Sequence, residues 1–159
     1  MKNLTHTCHY VLCTYDELTA ADRQLIDAAK AATQRSYAPY SHFHVGAAAL
    51  LADGTVVTGT NQENAAYPSG LCAERTTLFY AGAQYPNNAV TMLAIAARKG
   101  DHFTAVPTAP CGACRQVILE TEHRYGKPIE ILLYGEEKTY IITSIESLLP
   151  LCFGKTDLE

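Results

Sequence analysis

The stretch Cys72-Ala73-Glu74-Arg75 organises this chain, together with its partner Pro110-Cys111-Gly112-Ala113-Cys114. Zinc favours thiolate ligands, and a site with three protein ligands leaves a fourth position for a water molecule, whose pKa the metal lowers. Glu74 follows a candidate ligand by two residues, so its carboxylate can carry protons without binding the metal. A Cys-x-Glu run followed about forty residues later by Pro-Cys-x-x-Cys therefore predicts a catalytic zinc site with the zinc-bound water as nucleophile.

Two other interpretations of these cysteines stay open at this point. A structural zinc site normally closes with four protein ligands, and Cys8, Cys13, Cys152 or a histidine would have to supply the fourth. Alternatively, the cysteines could be buried without a metal. A lone Cys-x-x-Cys occurs in many redox and structural sites, but its combination with Cys-x-Glu is more specific and favours the open, catalytic site.

Both cysteine runs are predicted to begin a helix. Cys72 precedes Ala-Glu-Arg-Thr-Thr-Leu-Phe-Tyr-Ala, and Cys111 precedes Gly-Ala-Cys-Arg-Gln-Val-Ile-Leu-Glu. The dipole and the unpaired N–H groups at a helix start favour thiolate over thiol. Three thiolates on one dication leave an excess negative charge, which Arg75 or Arg115 could offset by donating to the sulfurs. Arg75 could instead be an ordinary cation on the helix surface.

Length and composition indicate one globular domain over residues 1–159, with an N-terminal arm at 1–16 and a C-terminal helix and tail at 144–159. Hydrophobic residues make up 48% of the chain. The formal net charge is −4, and no cluster of Lys and Arg occurs, which argues against a nucleic-acid partner. No run approaches the roughly 18 apolar residues of a membrane span. Six cysteines without a secretory signal indicate a reducing compartment, so we expect a cytoplasmic protein with a small neutral substrate.

The order of apolar runs and breakers predicts an α-β-β-α-β-α-β-β-α arrangement, preceded by an edge strand or irregular arm at 1–16. Helices are predicted at about 19–35, 72–83, 111–123 and 144–149, and strands at 43–52, 56–60, 89–97, 129–134 and 139–142. One sheet with helices on both faces follows from this order. Both cysteine runs come after strands, so the site is expected at one end of the sheet, in a crevice built from loops.

Five ordered blocks of the sequence resemble the small zinc-dependent cytidine deaminases. They are residues 37–48, 61–68, 72–75, 110–116 and 148–154, and the resemblance runs from about residue 37 to residue 158. Gln62 stands where this family usually has an apolar residue, and Ala109 where it often has serine. The resemblance implies a three-layer α/β/α sandwich with one mixed five-stranded sheet. It also implies a homotetramer with active sites at the subunit boundaries.

By this resemblance, the activity is hydrolytic deamination of cytidine and deoxycytidine to uridine and deoxyuridine with release of ammonia, a reaction of pyrimidine salvage. Cys72, Cys111 and Cys114 would hold one zinc ion per chain, and Glu74 would shuttle protons. Two alternatives remain. One is a deaminase of another aminopyrimidine nucleoside, such as blasticidin S, and the other is a zinc-stabilised binding module without catalysis.

Six further residues are assigned to the substrate by their positions in these blocks. They are Asn61 and Glu63 for the ribose hydroxyls, Phe43 for the pyrimidine pocket, the Ala73 backbone N–H for the base carbonyl, and Tyr67 and Phe153 for the substrate of a neighbouring subunit. Plainer interpretations stay open. Asn61 could be a turn residue, Glu63 a solvated loop charge, and the aromatic side chains part of the packing.

Overall fold

The structure, a computed structural model, describes residues 1–158, which form seven strands and three α-helices. The helices are α1 (Ala20–Ala32), α2 (Ala73–Gln84) and α3 (Gly112–Tyr125). The strands are β1 (Val11–Cys13), β2 (Phe43–Leu51), β3 (Val56–Thr60), β4 (Val90–Lys99), β5 (His102–Phe103), β6 (Glu130–Tyr134) and β7 (Thr139–Ile142). They build one sheet in the order β1-β7-β6-β4-β2-β3, with β5 paired to β4. Strands β4 and β6 run parallel and the other neighbouring pairs antiparallel, so the sheet is mixed.

All five predicted strands are present, and two short strands extend the sheet to seven. Strand β1 comes from the predicted arm and pairs with the outer edge of β7. Strand β5 forms after a turn at Gly100, whose φ of +62° suits a residue without a side chain. Strand β1 is the edge strand that was one of the two predictions for residues 1–16, whereas β5, with two residues, is too short to show a periodic pattern.

The helix boundaries differ from the predicted ones at three places. The predicted helix to residue 35 ends as an α-helix at Ala32 and continues as a 3₁₀ turn, Thr33–Arg35. The predicted terminal helix is a single 3₁₀ turn, Ile145–Leu148. Helix α3 runs two residues beyond its predicted end, to a left-handed cap at Gly126. The last residue of the predicted tail, Glu159, lies outside the described residues.

The helices cover both faces of the sheet, which confirms the three-layer sandwich. Side chains alternate along β2: Ala47, Ala49 and Leu51 join the core shared with α2 and α3, while Ala48 joins the core beneath α1. A strand buried on both faces reads as a nearly continuous apolar run, and this is what the sequence of β2 shows. Among residues 1–158, no helix is long and apolar enough to cross a membrane.

The sheet brings the starts of α2 and α3 to the same edge. Strands β3 and β4 both pair antiparallel with β2, which lies between them, so they point in the same direction. Helix α2 follows β3, and α3 lies in the crossover from β4 to the parallel strand β6. The first turns of both helices therefore meet beyond the carboxyl ends of β3 and β4, where ligand sites of such sheets occur.

Helix α3 also holds the C-terminal tail, and it does so through backbone atoms of the tail. Arg115 Nη1 donates to Leu148 O over 2.7 Å, and Gln116 Nε2 donates to Phe153 O over 2.8 Å. The buried carboxylate of Glu122 accepts from the first backbone N–H of the terminal 3₁₀ turn over 3.1 Å. The path of the tail is thus fixed, while Phe153 itself stays exposed.

The position of α2 depends on a glycine in β3. A side-chain carbon added at Gly59 would lie 2.7 Å from the backbone nitrogen of Thr77, in the middle of α2. Backbone atoms cannot move away as the end of a side chain can, so the helix packs this closely because residue 59 has no side chain. Gly59 thereby sets the distance between the sheet and the helix that begins at Cys72.

We expect Gly59→Ala to lower the free energy of unfolding by about 1–3 kcal/mol, as overpacking of a filled core does. Denaturant unfolding measures this loss. Gly82→Ala is the matched control, because Gly82 lies inside α2 and a side-chain carbon there meets only the end of Arg124. That variant should be neutral or gain up to about 1 kcal/mol from helix propensity. Equal stabilities of the two variants would contradict the packing argument.

Candidate metal centre and active site

Three cysteine sulfurs meet where α2 and α3 begin. Cys72 and Cys111 are the N-cap residues of α2 and α3, and Cys114 lies in the first turn of α3. Cys111 Sγ lies 3.8 Å from Cys72 Sγ and 3.4 Å from Cys114 Sγ, and all three sulfurs lie within 4.8 Å of one another. Tetrahedral zinc with bonds of about 2.3 Å separates its sulfur ligands by about 3.8 Å, so the cluster fits this metal. Within residues 1–158, no fourth Cys, His, Asp or Glu joins the group, which matches an open site.

The charges around the sulfurs favour thiolate at Cys72. Hydrogen bonds from the Cys114 thiol and the Arg75 guanidinium lower the pKa of Cys72 to about 5, against the burial that raises it. The same contact with Cys72, together with burial, raises the pKa of Cys114. One thiolate therefore forms readily, and a bound dication has to displace the remaining thiol protons.

Arg75 is the arginine that faces the sulfurs. Its Nη2 lies 3.8 Å from Cys72 Sγ and 3.4 Å from Gly70 O, and the hydrogen bond to Cys72 raises the pKa of Arg75. Arg115, the other candidate donor, bonds Pro110 O over 2.9 Å instead. Arg115 therefore supports the turn that precedes Cys111, and only Arg75 has the position to offset thiolate charge.

Glu74 is buried beside the sulfurs without being one of the clustered ligands. It is the second residue of α2, and 5% of its surface is exposed. Burial raises the pKa of Glu74, and the negative charge of Cys72 raises it further. A raised pKa makes a carboxylate a stronger base, which suits a group that has to take up a proton and pass it on.

Cys72, Cys111 and Glu74 line a cavity of about 620 Å³, a size that suits a small molecule. Nine of the predicted site residues line it: Phe43, Asn61, Glu63, Tyr67, Cys72, Ala73, Glu74, Arg75 and Cys111. Ala73 is the first residue of α2, where a backbone N–H has no partner within the helix and can meet a ligand. Cys114 is fully buried. The cavity wall thus combines one metal cluster, one buried carboxyl group and a polar loop.

Ten further residues line the cavity wall, and the sequence assigned no site role to their side chains. They are Tyr40, Ser41, Val45, Gln62, Asn64, Gly70, Leu71, Ile95, Thr108 and Ala109. Two signals were present for some of them. Tyr40 and Ser41 stand within three residues of Phe43 in the same block, and Thr108 and Ala109 directly precede Pro110.

The side chain of Asn61 clamps the start of β2. Its Oδ1 accepts from Val45 N over 2.8 Å, and its Nδ2 donates to Phe43 O over 2.9 Å. A primary amide has two N–H donors, so one of them remains for a ligand. Asn61 is therefore neither a simple turn residue nor a free ligand-binding group, because it shapes the wall that carries Phe43.

Glu63 is tied to the loop before β2. Its Oε2 accepts from Tyr40 N over 2.9 Å and from Ser41 N over 3.2 Å, and its Oε1 accepts a hydrogen bond from the Ser41 hydroxyl. The Ser41 bond and the two backbone N–H groups lower the pKa of Glu63, partly offset by burial that raises it. The carboxylate is thus an ionised acceptor in a fixed place, and the interpretation as a solvated loop charge does not apply.

The two aromatic residues assigned to a neighbouring subunit differ in position. Tyr67 lines the cavity mouth with 77% of its surface exposed, and its ring meets that of Tyr40 edge to face at 6.3 Å. Phe153 does not line the cavity of its own chain, and 59% of its surface is exposed. An exposed phenylalanine in a tail whose backbone is fixed is suited to contact another molecule.

We expect Cys114→Ala to lower zinc occupancy well below that of the unchanged chain, and to lower the melting temperature, because a lost ligand removes metal binding that is coupled to folding. Elemental analysis of the purified chain and thermal unfolding with and without a chelator measure both effects. Cys8→Ala is the control, since Cys8 is exposed in the N-terminal arm and should leave both unchanged. Full zinc content in the Cys114 variant would show that the ligand set is wrong.

The comparisons with known proteins agree with this chemistry. Residues 19–125 match the model of the cytidine and deoxycytidylate deaminase zinc-binding region. A cytidine deaminase of Halalkalibacterium halodurans is 47% identical over 139 residues, which cover 87% of this chain and 98% of the relative. A cytidine deaminase of Sporosarcina psychrophila is 38% identical over 136 residues, covering 86% and 93%.

Solved structures give the same result. The 1.6 Å crystal structure of cytidine deaminase from Burkholderia pseudomallei superposes with a TM-score of 0.71 at 42% identity, covering 86% of this chain and all of that one. Cytidine deaminase from Mycobacterium tuberculosis superposes with a TM-score of 0.64 at 34% identity, covering 82% and 95%. The matched region holds Cys72, Glu74 and the Pro-Cys-x-x-Cys run. This chain belongs to the cytidine and deoxycytidylate deaminase zinc-binding family.

Proposed function

We propose that the chain deaminates cytidine and deoxycytidine hydrolytically, giving uridine and deoxyuridine and releasing ammonia. One observation carries the proposal: the three-cysteine cluster opens onto a small-molecule cavity beside the buried carboxyl group of Glu74. The relatives named above support the substrate, since they are cytidine deaminases. They favour neither a blasticidin S deaminase nor a binding module without catalysis.

The residues of the chain divide the reaction between them. Cys72, Cys111 and Cys114 hold zinc, which when bound supplies a Lewis acid that lowers the pKa of a water molecule. Glu74 takes the proton of the attacking water and delivers it to N3 of the ring, which makes C4 electrophilic. The oxygen of that water adds to C4, and Glu74 then takes the proton of the new C4 hydroxyl and gives it to the amine, so that the C4–N bond breaks, ammonia leaves and a carbonyl remains at C4. Arg75 offsets the negative charge of the thiolates.

The cavity wall binds and orients the nucleoside. We assign the ribose hydroxyls to Asn61 and Glu63, the face of the pyrimidine to Phe43, and the base carbonyl to the Ala73 N–H. The ribose contacts act far from C4, so their binding energy orients the ring against the metal and the proton carrier. Their places around one cavity support the assignment.

The proposed activity is tested by following cytidine absorbance before and after chelation, with Glu74→Gln as the decisive variant. The amide keeps the volume of the side chain but cannot carry a proton, so we expect zinc and fold to be retained and turnover to fall by at least about a hundredfold. Glu120→Gln, at an exposed position of α3, is the control and should retain full rate. Unchanged turnover in the Glu74 variant would rule out its role as proton carrier.

We further propose that the chain is a single domain that assembles as a homotetramer with shared active sites. All three helices pack on one sheet, which supports one domain. The exposed side chains of Phe153, Leu151, Phe79 and Tyr80 support assembly, because burying an aromatic side chain is worth about 1.5–3 kcal/mol. Phe153 would then reach the base held by a neighbouring chain, with Tyr67 at the same boundary.

We expect Phe153→Ala to lower kcat/KM by about tenfold or more while zinc content stays constant, because burial of the ring against the substrate is lost. Mixing Glu74→Gln chains with Phe153→Ala chains should then restore part of the activity, since an intact Glu74 can meet an intact Phe153 across a boundary. Leu4→Ala, which removes an exposed apolar side chain of the arm, is the control. Packing within one chain predicts lower stability and no recovery on mixing, and a fully active monomer would also refute the shared site.

A further inference from the structure

The hydroxyl of Ser41 connects two parts of the cavity wall. It donates to Glu63 Oε1 and accepts from Phe43 N over 3.0 Å. Ser41 thus touches one residue proposed to bind the ribose and the residue proposed to line the base pocket. A backbone hydrogen bond adds to this connection. Glu63 N donates to Tyr37 O over 2.9 Å and so holds the other end of the loop that contains Ser41.

The count of acceptor sites identifies what this arrangement leaves for a ligand. A carboxylate has about four lone-pair sites, and Glu63 uses two on Oε2 for backbone N–H groups and one on Oε1 for Ser41. The hydroxyl of Ser41 has given its hydrogen to Glu63 and one lone pair to Phe43 N, so its second lone pair remains. Acceptor sites are therefore left on Oε1 and on Ser41 Oγ, side by side at the cavity wall. Neighbouring acceptors of this kind suit a hydrogen-bond donor such as a sugar hydroxyl.

We propose that Ser41 is a positioning residue for the sugar of the substrate, because it fixes the orientation of the Glu63 carboxylate and presents Oε1 to a ribose hydroxyl. This inference rests on the proposed function, since it concerns the substrate of the same cavity. Without the Ser41 hydroxyl, Oε1 loses the contact that fixes it, although the two backbone N–H groups still hold Oε2. The Glu63 carboxylate can then rotate while Oε2 stays bonded to the backbone, and Oε1 is no longer held in one position.

The electrostatics of Glu63 point in the same direction. The bond from Ser41 contributes most to lowering the pKa of Glu63, which keeps the carboxylate ionised and able only to accept. The neighbouring His42 has a φ of +52°, a left-handed conformation that is uncommon outside glycine. Its backbone N–H donates to Ala38 O over 3.1 Å, so the turn that carries Ser41 is held in a defined shape before any ligand binds.

The test compares Ser41→Ala with the unchanged enzyme on four substrates: cytidine, 2′-deoxycytidine, 3′-deoxycytidine and 2′,3′-dideoxycytidine. We expect kcat/KM for cytidine to fall about tenfold, chiefly through KM, as when a hydrogen bond to a charged group is lost. The loss should nearly vanish for dideoxycytidine and for whichever single deoxy substrate lacks the recognised hydroxyl. Ser41→Thr keeps a hydroxyl and should restore most of the value for cytidine.

Two further variants separate positioning from a general effect on the loop. Ser36→Ala removes a hydroxyl from the same loop that pairs with His44 Nδ1 over 2.8 Å and does not touch Glu63, so any loss should be equal across the four substrates. In a Glu63→Ala background, Ser41→Ala should cost little more, because residues that act through one another are not additive.

The measurements on the four nucleosides separate the role of Ser41 from the proposed deaminase activity. An active enzyme in which Ser41→Ala loses the same factor on all four nucleosides, or loses nothing on cytidine, overturns the inference and leaves the proposed function intact. Unchanged enzyme that turns over none of the four overturns the proposed function and this inference with it. Because Ser41 is exposed in a loop, we expect the alanine variant to fold, and thermal unfolding checks this. If it does not fold, retention of the substrate pattern by Ser41→Thr still supports the inference, and its loss overturns it.

Discussion

The site depends on the meeting of two helix starts at one edge of the sheet. Strand β2 lies between β3 and β4 and runs against both, so the chain leaves these two strands in the same direction and enters α2 and α3 side by side. Each helix start brings a cysteine at its cap and the positive end of a dipole. Neither helix alone supplies three sulfurs. The cysteine cluster therefore depends on the order of the strands. Close packing of α2 on Gly59 fixes the position of that helix on the sheet.

Sequence alone predicted the parts that depend on residue chemistry or on long apolar runs. The continuous apolar character of β2 and β4 identified a sheet buried on both faces, and the Cys-x-Glu and Pro-Cys-x-x-Cys runs identified the sulfur cluster. For residues 1–16 it left an edge strand and an irregular arm as alternatives, and the structure has the edge strand β1 there. It could not predict β5, which is held by pairing with β4 and not by a pattern of its own. The choice between Arg75 and Arg115 also depends on the folded structure, because both follow a cysteine closely and only Arg75 contacts a sulfur.

Asn61 and Glu63 each have a structural role and remaining capacity to bind a ligand. Asn61 and Glu63 both use part of their hydrogen-bonding capacity on the backbone of the loop and strand that form the wall. The sequence offered structural and ligand-binding interpretations of these residues as alternatives. In the folded chain the structural role does not exclude ligand binding. An amide or a carboxylate has enough donors or acceptors to hydrogen-bond the cavity wall and a ligand at the same time. A group held in this way loses less conformational entropy when it binds.

The way α3 holds the tail has a consequence for how this protein can vary among species. Arg115 and Gln116 donate hydrogen bonds to backbone carbonyl oxygens of the tail. Every amino acid has such an oxygen, whatever its side chain. The side chain of the exposed Leu151 can therefore vary through evolution without releasing the tail, whereas Leu149, which packs against the core, has to stay apolar. Arg115, Gln116 and Phe153 are then constrained together, although more than thirty residues of sequence separate the first two from the third. An alignment of orthologues should show covariation among Arg115, Gln116 and Phe153, and freer substitution at Leu151 than at Leu149 and Cys152, which pack against the core.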